Sequence, residues 1–290
     1  MQGILGESLP RRFALGAGAT LALGGIATGL APAATGAARG TAEPPVVYGP
    51  LPKPGRHDAP LSIGSLVFPL MDQIDFTGPF EVFARIPNAT VQIVAKTTDP
   101  VYDVKGLTVT PTVSIAQTSL FDILHVAGGL GQQALMDDEE VMLLIRRHAD
   151  ASRLVFSVCT GALLCGAAGL LKGRQATTHW AALDLLKFYG ASPVRSRVVV
   201  DGNYISTAGV TAGLDGALVV ASLLRGDKIA EEIQLDIQYA PNPVFHSGTP
   251  EEAGTDVIDA FFEIYGRNKE AREIEAHRFA AKLGVEVDAK

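Results

Sequence analysis

From residue 61 to residue 238, short apolar runs alternate with longer stretches of helical periodicity. A β-rich run at 62–68 stops at Pro69, and a helix over 77–84 is opened by Thr77-Gly78-Pro79. Strands are predicted at 91–95, 121–126, 154–158, 198–200 and 204–206. The Thr- and Val-rich segment 107–113, interrupted by Pro111, reads as an edge pair. Helical spacing falls on 138–149, 160–171, 180–188, 211–224 and 227–238. Strands alternating with helices predict an α/β fold with a mostly parallel sheet covered by helices on both faces. In such sheets ligand chemistry gathers at the carboxyl ends of strands. Three predicted strand ends carry polar or flexible residues: 72–78, 128–131 and 159–161. The tail, 268–290, mixes Lys, Arg and Glu with Ile274, Phe279 and Leu283 at roughly helical spacing, and reads as an amphipathic surface helix.

The first 60 residues depart from this pattern. Pro10-Arg11-Arg12-Phe13-Ala14-Leu15 precedes an Ala/Gly/Leu stretch and small-residue sites at 31–34 and 37–38, the pattern of a twin-arginine export signal over 1–38. Its glycines argue against a spanning helix, so membrane contact is expected to be transient, and the protein periplasmic or extracellular. Six prolines between Pro44 and Pro60 make 39–60 an extended linker or arm. The chain from Leu61 onward suits one sizeable domain over 61–250 with a helical extension over 251–290. A formal charge of -7 offers no basic footprint for nucleic acid.

The run Leu154-Val155-Phe156-Ser157-Val158-Cys159-Thr160-Gly161-Ala162 places a cysteine where a strand turns into a helix. Such a nucleophile elbow exposes a side chain on a tight turn, and the helix entrance favours thiolate over thiol. Cys165 is the other cysteine of the chain, and six helical residues turn the two away from a disulfide. Either thiol is thus buried or kept for chemistry. Asp75 is the candidate proton carrier, with capping of the following helix as its alternative role; Asp72 is patterned nearer solvent. Gly128 and Gly129, with the N–H of Thr160, form an anion-stabilising nest or simply a turn. His179 is a secondary candidate that either pairs with the cysteine or caps and packs beside Trp180, and His125 and His246 have weaker claims. No His, Cys, Asp and Glu spacing suggests a metal site, and no Gly-rich cofactor loop lies between a strand and a helix.

Ser157-Val158-Cys159-Thr160-Gly161-Ala162-Leu163, the segment 166–173 and Ala176-Thr177-Thr178-His179-Trp180 together resemble the ThiJ/PfpI superfamily. Asp75-Phe76-Thr77-Gly78-Pro79, Asp201-Gly202-Asn203, Thr211-Ala212-Gly213-Leu214-Asp215 and Gln238-Tyr239-Ala240-Pro241 extend the likeness in the same order over 61–248. It is nearest to the superfamily's bacterial isocyanide hydratase branch. Thr160, where a protease-like branch has His, separates the chain from that branch. The resemblance implies a flavodoxin-like α/β sandwich, a homodimer, a small-molecule substrate and no cofactor. It also implies hydration of isocyanides to N-formamides through a covalent thioimidate, with Cys159 as nucleophile and Asp75 and Thr160 beside it. Glyoxalase- or deglycase-like turnover of small dicarbonyls is the alternative enzyme reading, and a cysteine-based redox or ligand sensor the non-enzymatic one. AraC-type regulators share the core but need a C-terminal DNA-binding domain, which is not expected after residue 248.

Overall fold

The computed structural model describes residues 46–51, 58–151 and 153–287. The expected export signal lies outside the described residues, as does part of the arm. Among the described residues, twelve strands follow in chain order: β1 (Val46–Tyr48), β2 (Leu61–Leu66), β3 (Ala89–Ala95), β4 (Val101–Tyr102), β5 (Thr108–Val109), β6 (Val113–Ser114), β7 (Ile123–Val126), β8 (Leu154–Val158), β9 (Gln175–Ala176), β10 (Ser192–Pro193), β11 (Val198–Asp201) and β12 (Tyr204–Thr207). The helices are α1 (Gln73–Phe83), α2 (Gln132–Leu135), α3 (Glu139–Asp150), α4 (Gly161–Ala167), α5 (Ala212–Arg225), α6 (Asp227–Asp236) and α7 (Thr255–Leu283).

Eight strands form the central sheet in the order β1-β11-β12-β8-β7-β2-β3-β6, parallel except where β11 meets β12. The strand period of two divides each apolar run between two cores. On β8, Leu154, Phe156 and Val158 face a core built with α1, α5 and α6, while Val155 faces the core of α3, α4 and α7. This explains why the run reads as continuously apolar: both faces are covered, as in other parallel sheets. Helices lie on both sides, giving the flavodoxin-like sandwich.

Several boundaries differ from the sequence reading. Within the expected linker, Val46–Tyr48 pairs in parallel with β11 and supplies the edge strand, so the folded body starts before Leu61. In the 107–113 segment, Thr108–Val109 pairs with Val101–Tyr102, whereas Val113–Ser114 extends the main sheet beyond β3. The helix expected over 160–171 ends at Ala167, where Gly169 takes a φ of 89 and its N–H closes on the Gly166 carbonyl. The segment Trp180–Tyr189 is a 3-10 helix instead of an α-helix. The C-terminal helix begins at Thr255, not at 268, and packs along Trp180–Tyr189; Phe279 is fully buried while Ile274 points outward. It is therefore part of the body as well as the surface.

Candidate active site

The adjacent parallel strands β12, β8, β7 and β2 bring their carboxyl ends together. Cys159 leaves β8, Gly128 follows β7, Asp75 follows β2 in the first turn of α1, and Val210 follows β12. Chain segments far apart in sequence thus converge at one edge. Gly128 is the contact point: a Cβ there would lie 2.6 Å from the Thr160 nitrogen and 2.8 Å from Asp75 Oδ2. Only glycine lets these three segments close up.

Cys159 sits at a φ of 54, in the left-handed region that non-glycine residues rarely adopt. Such a backbone costs about 1–3 kcal/mol and persists only when its surroundings hold it. Here both peptide groups of the residue are held. Its N–H donates to the Ala208 carbonyl at 3.0 Å and its carbonyl accepts the Thr178 hydroxyl at 2.6 Å. The backbone N–H groups of Thr160 and Val210 favour the Cys159 thiolate. Val210 has its own positive φ, 35, so the second of these N–H groups is also carried by a strained residue. With 6% of its surface exposed, Cys159 is enclosed.

Asp75 is completely buried, and its carboxyl and the Cys159 thiol are electrostatically coupled. The helix cap is Asp72, which accepts the Ile74 N–H at 3.1 Å; Asp75 is thereby free of the capping role. Asp75 Oδ2 accepts the Gly128 N–H at 3.0 Å, whereas Oδ1 has no protein partner among the described residues. The backbone of Asp75 is fixed by a subtler device. Pro79, four residues on, lacks the N–H that would normally bond the Asp75 carbonyl. His125 Nε2 takes that carbonyl at 3.0 Å, and Ser65 lies 3.1 Å from Nδ1. A carbonyl only accepts, so the proton of the neutral ring is on Nε2. Burial keeps the ring neutral, lowering its pKa to about 4.

Burial, then the charge of Asp72, raises the Asp75 pKa well above the usual carboxylate range, against the opposing Gly128 hydrogen bond and the effect of Cys159. Burial, then the Asp75 charge, likewise raises Cys159 well above an ordinary thiol, although the Val210 and Thr160 N–H groups favour the thiolate. The expected lowering of the thiol pKa at the helix entrance is therefore reversed in the resting site. Desolvation and a like-charge neighbour outweigh the start of the seven-residue α4. The result is a coupled acid pair in which a proton on either partner disfavours two adjacent negative charges.

The expected Gly128 and Gly129 nest does not form as such. Gly128 donates to Asp75, and Gly129 donates to Thr160 Oγ1 at 3.0 Å while its carbonyl accepts back from that hydroxyl at 3.3 Å. Both glycine N–H groups are committed to positioning the machinery, leaving the Thr160 and Val210 N–H groups to favour the thiolate. His179 caps the 3-10 helix, with Nδ1 accepting the Ala181 N–H at 3.2 Å, and stacks with Phe261 at 6.1 Å. Burial and then the Arg272 charge hold its pKa down to about 4. It packs beside the only Trp in the chain, the role that sequence left open. Cys165 is a free, fully buried thiol, pushed up to about 12 by desolvation. Val210 escaped the sequence reading, which also gave His125 only a weak claim and did not connect it with Asp75. A strand end before Thr211-Ala212-Gly213 and a proline four residues after Asp75 were the available signals.

A cysteine on a strained strand-to-helix elbow, paired with a buried carboxyl in a flavodoxin-like sandwich, defines a cysteine-centred α/β protein. With a match of residues 62–222 to the DJ-1/PfpI family model, the chain belongs to the DJ-1/PfpI family. Among its relatives, an isonitrile hydratase from Pseudomonas putida is 44% identical over 225 residues, covering 78% of this chain and 99% of the relative. The crystal structure of a ThiJ/PfpI family protein from Pseudomonas syringae superposes with a TM-score of 0.72 at 37% identity, covering 77% of this chain and 91% of that one. A deglycase from Thermococcus kodakarensis is 32% identical over 87 residues, covering 30% of this chain and 52% of the relative. The chain is thus a homologue of isonitrile hydratase within a family that also includes other enzymes.

Proposed function

We propose that this protein hydrates isocyanides to N-formamides through a thioimidate on Cys159. The observation that carries the reading is the buried Asp75 carboxyl coupled to Cys159 on its strained elbow, the two segments closing together over Gly128. The extended likeness to an isonitrile hydratase supports the same chemistry. As substrate enters, the thiol proton passes to Asp75 and the sulfur attacks the terminal isocyanide carbon, forming a C–S bond. Asp75 returns the proton to that carbon, giving R–N=CH–S–Cys. Asp75 then takes a proton from water as its oxygen adds to the same carbon. Asp75 passes that proton to nitrogen, and the hydroxyl proton of the resulting R–NH–CH(OH)–S–Cys then goes by way of Asp75 to the sulfur as the C–S bond breaks and the C=O bond forms, releasing R–NH–CHO and restoring the Cys159 thiol. The sum is isocyanide plus water to formamide, and no electrons are exchanged with an external reagent.

Incubation of the purified domain with a simple alkyl isocyanide is expected to yield N-formamide by mass spectrometry, with a transient adduct on the Cys159 peptide. Turnover of small dicarbonyls without formamide formation would instead favour the deglycase-like reading. Cysteine oxidation without turnover of either substrate would favour a sensor. We further propose a homodimer and export by the twin-arginine route. A mass of twice the chain in light scattering, and loss of secretion on replacing Arg11 and Arg12 by Lys, are the expected outcomes. A monomer, or unchanged secretion, would overturn the respective proposal.

A further inference from the structure

Arg197 immediately precedes β11, where the antiparallel ladder with β12 runs on by one more pair: its carbonyl accepts the Ala208 N–H at 2.9 Å. The Ala208 carbonyl in turn accepts the Cys159 N–H at 3.0 Å. The amide of the nucleophile is therefore tied to the Arg197 backbone through a single intervening residue, and the central sheet fixes that backbone.

The side chain of Arg197 reaches past the same segment to its other end. Nε lies 2.6 Å and Nη2 2.5 Å from Oδ2 of Asp215, in the first turn of α5, and Nη2 donates to the Thr211 hydroxyl at 3.4 Å. Thr211 is the N-cap of α5, yet its side chain makes no capping bond. The other oxygen of Asp215 accepts the Tyr239 hydroxyl at 3.0 Å. Tyr239 is itself fixed after α6, its N–H on the Gln234 carbonyl and its carbonyl on Gln234 Nε2, each at 3.0 Å. Arg197 thus grips 208–211 at both ends. Between them, Gly209 lies against His179, where a Cβ would come to 2.9 Å from the ring, and Val210 takes its φ of 35. Strain of this kind persists only where the surroundings over-determine it. The Arg197 and Asp215 side chains are 45% and 27% exposed, and pairs so exposed add little to global stability.

We propose that Arg197, held by Asp215 and Tyr239, is a positioning residue that clamps the 208–211 segment against the Cys159 elbow and keeps the nucleophile in its strained backbone conformation. The Val210 N–H, inside the clamped segment, favours the Cys159 thiolate, so release of the segment withdraws that support. The consequence for isocyanide turnover rests on the hydratase reading; the clamp itself does not.

Amide hydrogen exchange and thiol alkylation of the full chain test the clamp. In Arg197→Gln, exchange is expected to rise about fivefold in peptides covering 158–160 and 208–211, the upper end for an ion pair of this exposure, and to stay unchanged in β2. Alkylation of Cys159 by iodoacetamide, followed by peptide mass spectrometry, should slow by a similar factor at neutral pH and approach the native rate as pH rises and thiolate ceases to be limiting. Arg197→Lys should recover part of both effects, because it keeps the charge without the planar fork. Asp215→Asn should act in the same direction, and adding it to Arg197→Gln should cost little more, since both changes break one contact. Unchanged exchange at 158–160, a uniform rise across the sheet, an alkylation loss equal at every pH, or fully additive losses in the double variant would each overturn the proposal. Should the native thiol resist the reagent, exchange alone decides. With an alkyl isocyanide, Arg197→Gln is expected to lower kcat about fivefold with KM little changed. Absence of formamide from the native protein would sink the hydratase reading and leave the exchange result standing.

Discussion

Cys159→Ser is expected to reduce formamide formation by at least on the order of 10^4-fold, because it removes the nucleophile on which both covalent steps depend. A serine hydroxyl in the same place is a poorer nucleophile. Asp75 is also too weak a base to ionise that hydroxyl to a useful extent. Cys165 offers no rescue, being fully buried on α4 with its thiol raised by desolvation. The near-isosteric change should leave the fold in place, with a stability change of about 1 kcal/mol or less. Formamide yield per folded protein, read beside a thermal melt, checks both expectations. Retention of activity within tenfold would remove Cys159 from the role of nucleophile.

Asp75→Asn is expected to lower kcat by about 10^2- to 10^4-fold, the range associated with a positioned general acid–base group. The amide oxygen would still accept the Gly128 N–H, so the loss would reflect proton transfer more than a collapsed loop. The same change should make stability less dependent on pH. In the native protein Asp75 is raised well above its ordinary value of 3.8, so the folded state holds a proton that the unfolded chain gives up. Its contribution is fully present below the unfolded pKa and is lost as pH rises through the folded pKa. Asn cannot ionise, and the variant should therefore gain relative stability as pH increases through that window. Urea melts at several pH values test the sign. A stability advantage for the variant that shrinks with increasing pH would contradict the buried-acid assignment.

Much of this organisation was legible because strand and helix signals are local. The apolar run before Cys159, the glycines after β7 and the Thr77-Gly78-Pro79 sequence placed the three principal strand-end segments correctly. The resemblance then pointed to the Asp75–Cys159 pair that the fold brings together. Local propensity could not show that Val46–Tyr48 would close the sheet edge, since an edge strand beside prolines also reads as an arm. Nor could it distinguish the 3-10 helix at Trp180–Tyr189 from an α-helix, because both present similar short-range apolar spacing.

Residue order by itself determined the alternating α/β pattern, the elbow before Thr160 and the position of a proline four residues after Asp75. These depend on covalent geometry and local periodicity. Only tertiary structure decided which N–H groups were already occupied, that His125 would hold the Asp75 carbonyl, and that Val210 would favour the thiolate. It also decided the protonation of the acid pair. Desolvation and charge coupling depend on what surrounds a group in space, and Asp75 and Cys159 acquire their common buried environment only when β2 and β8 enter the same sheet.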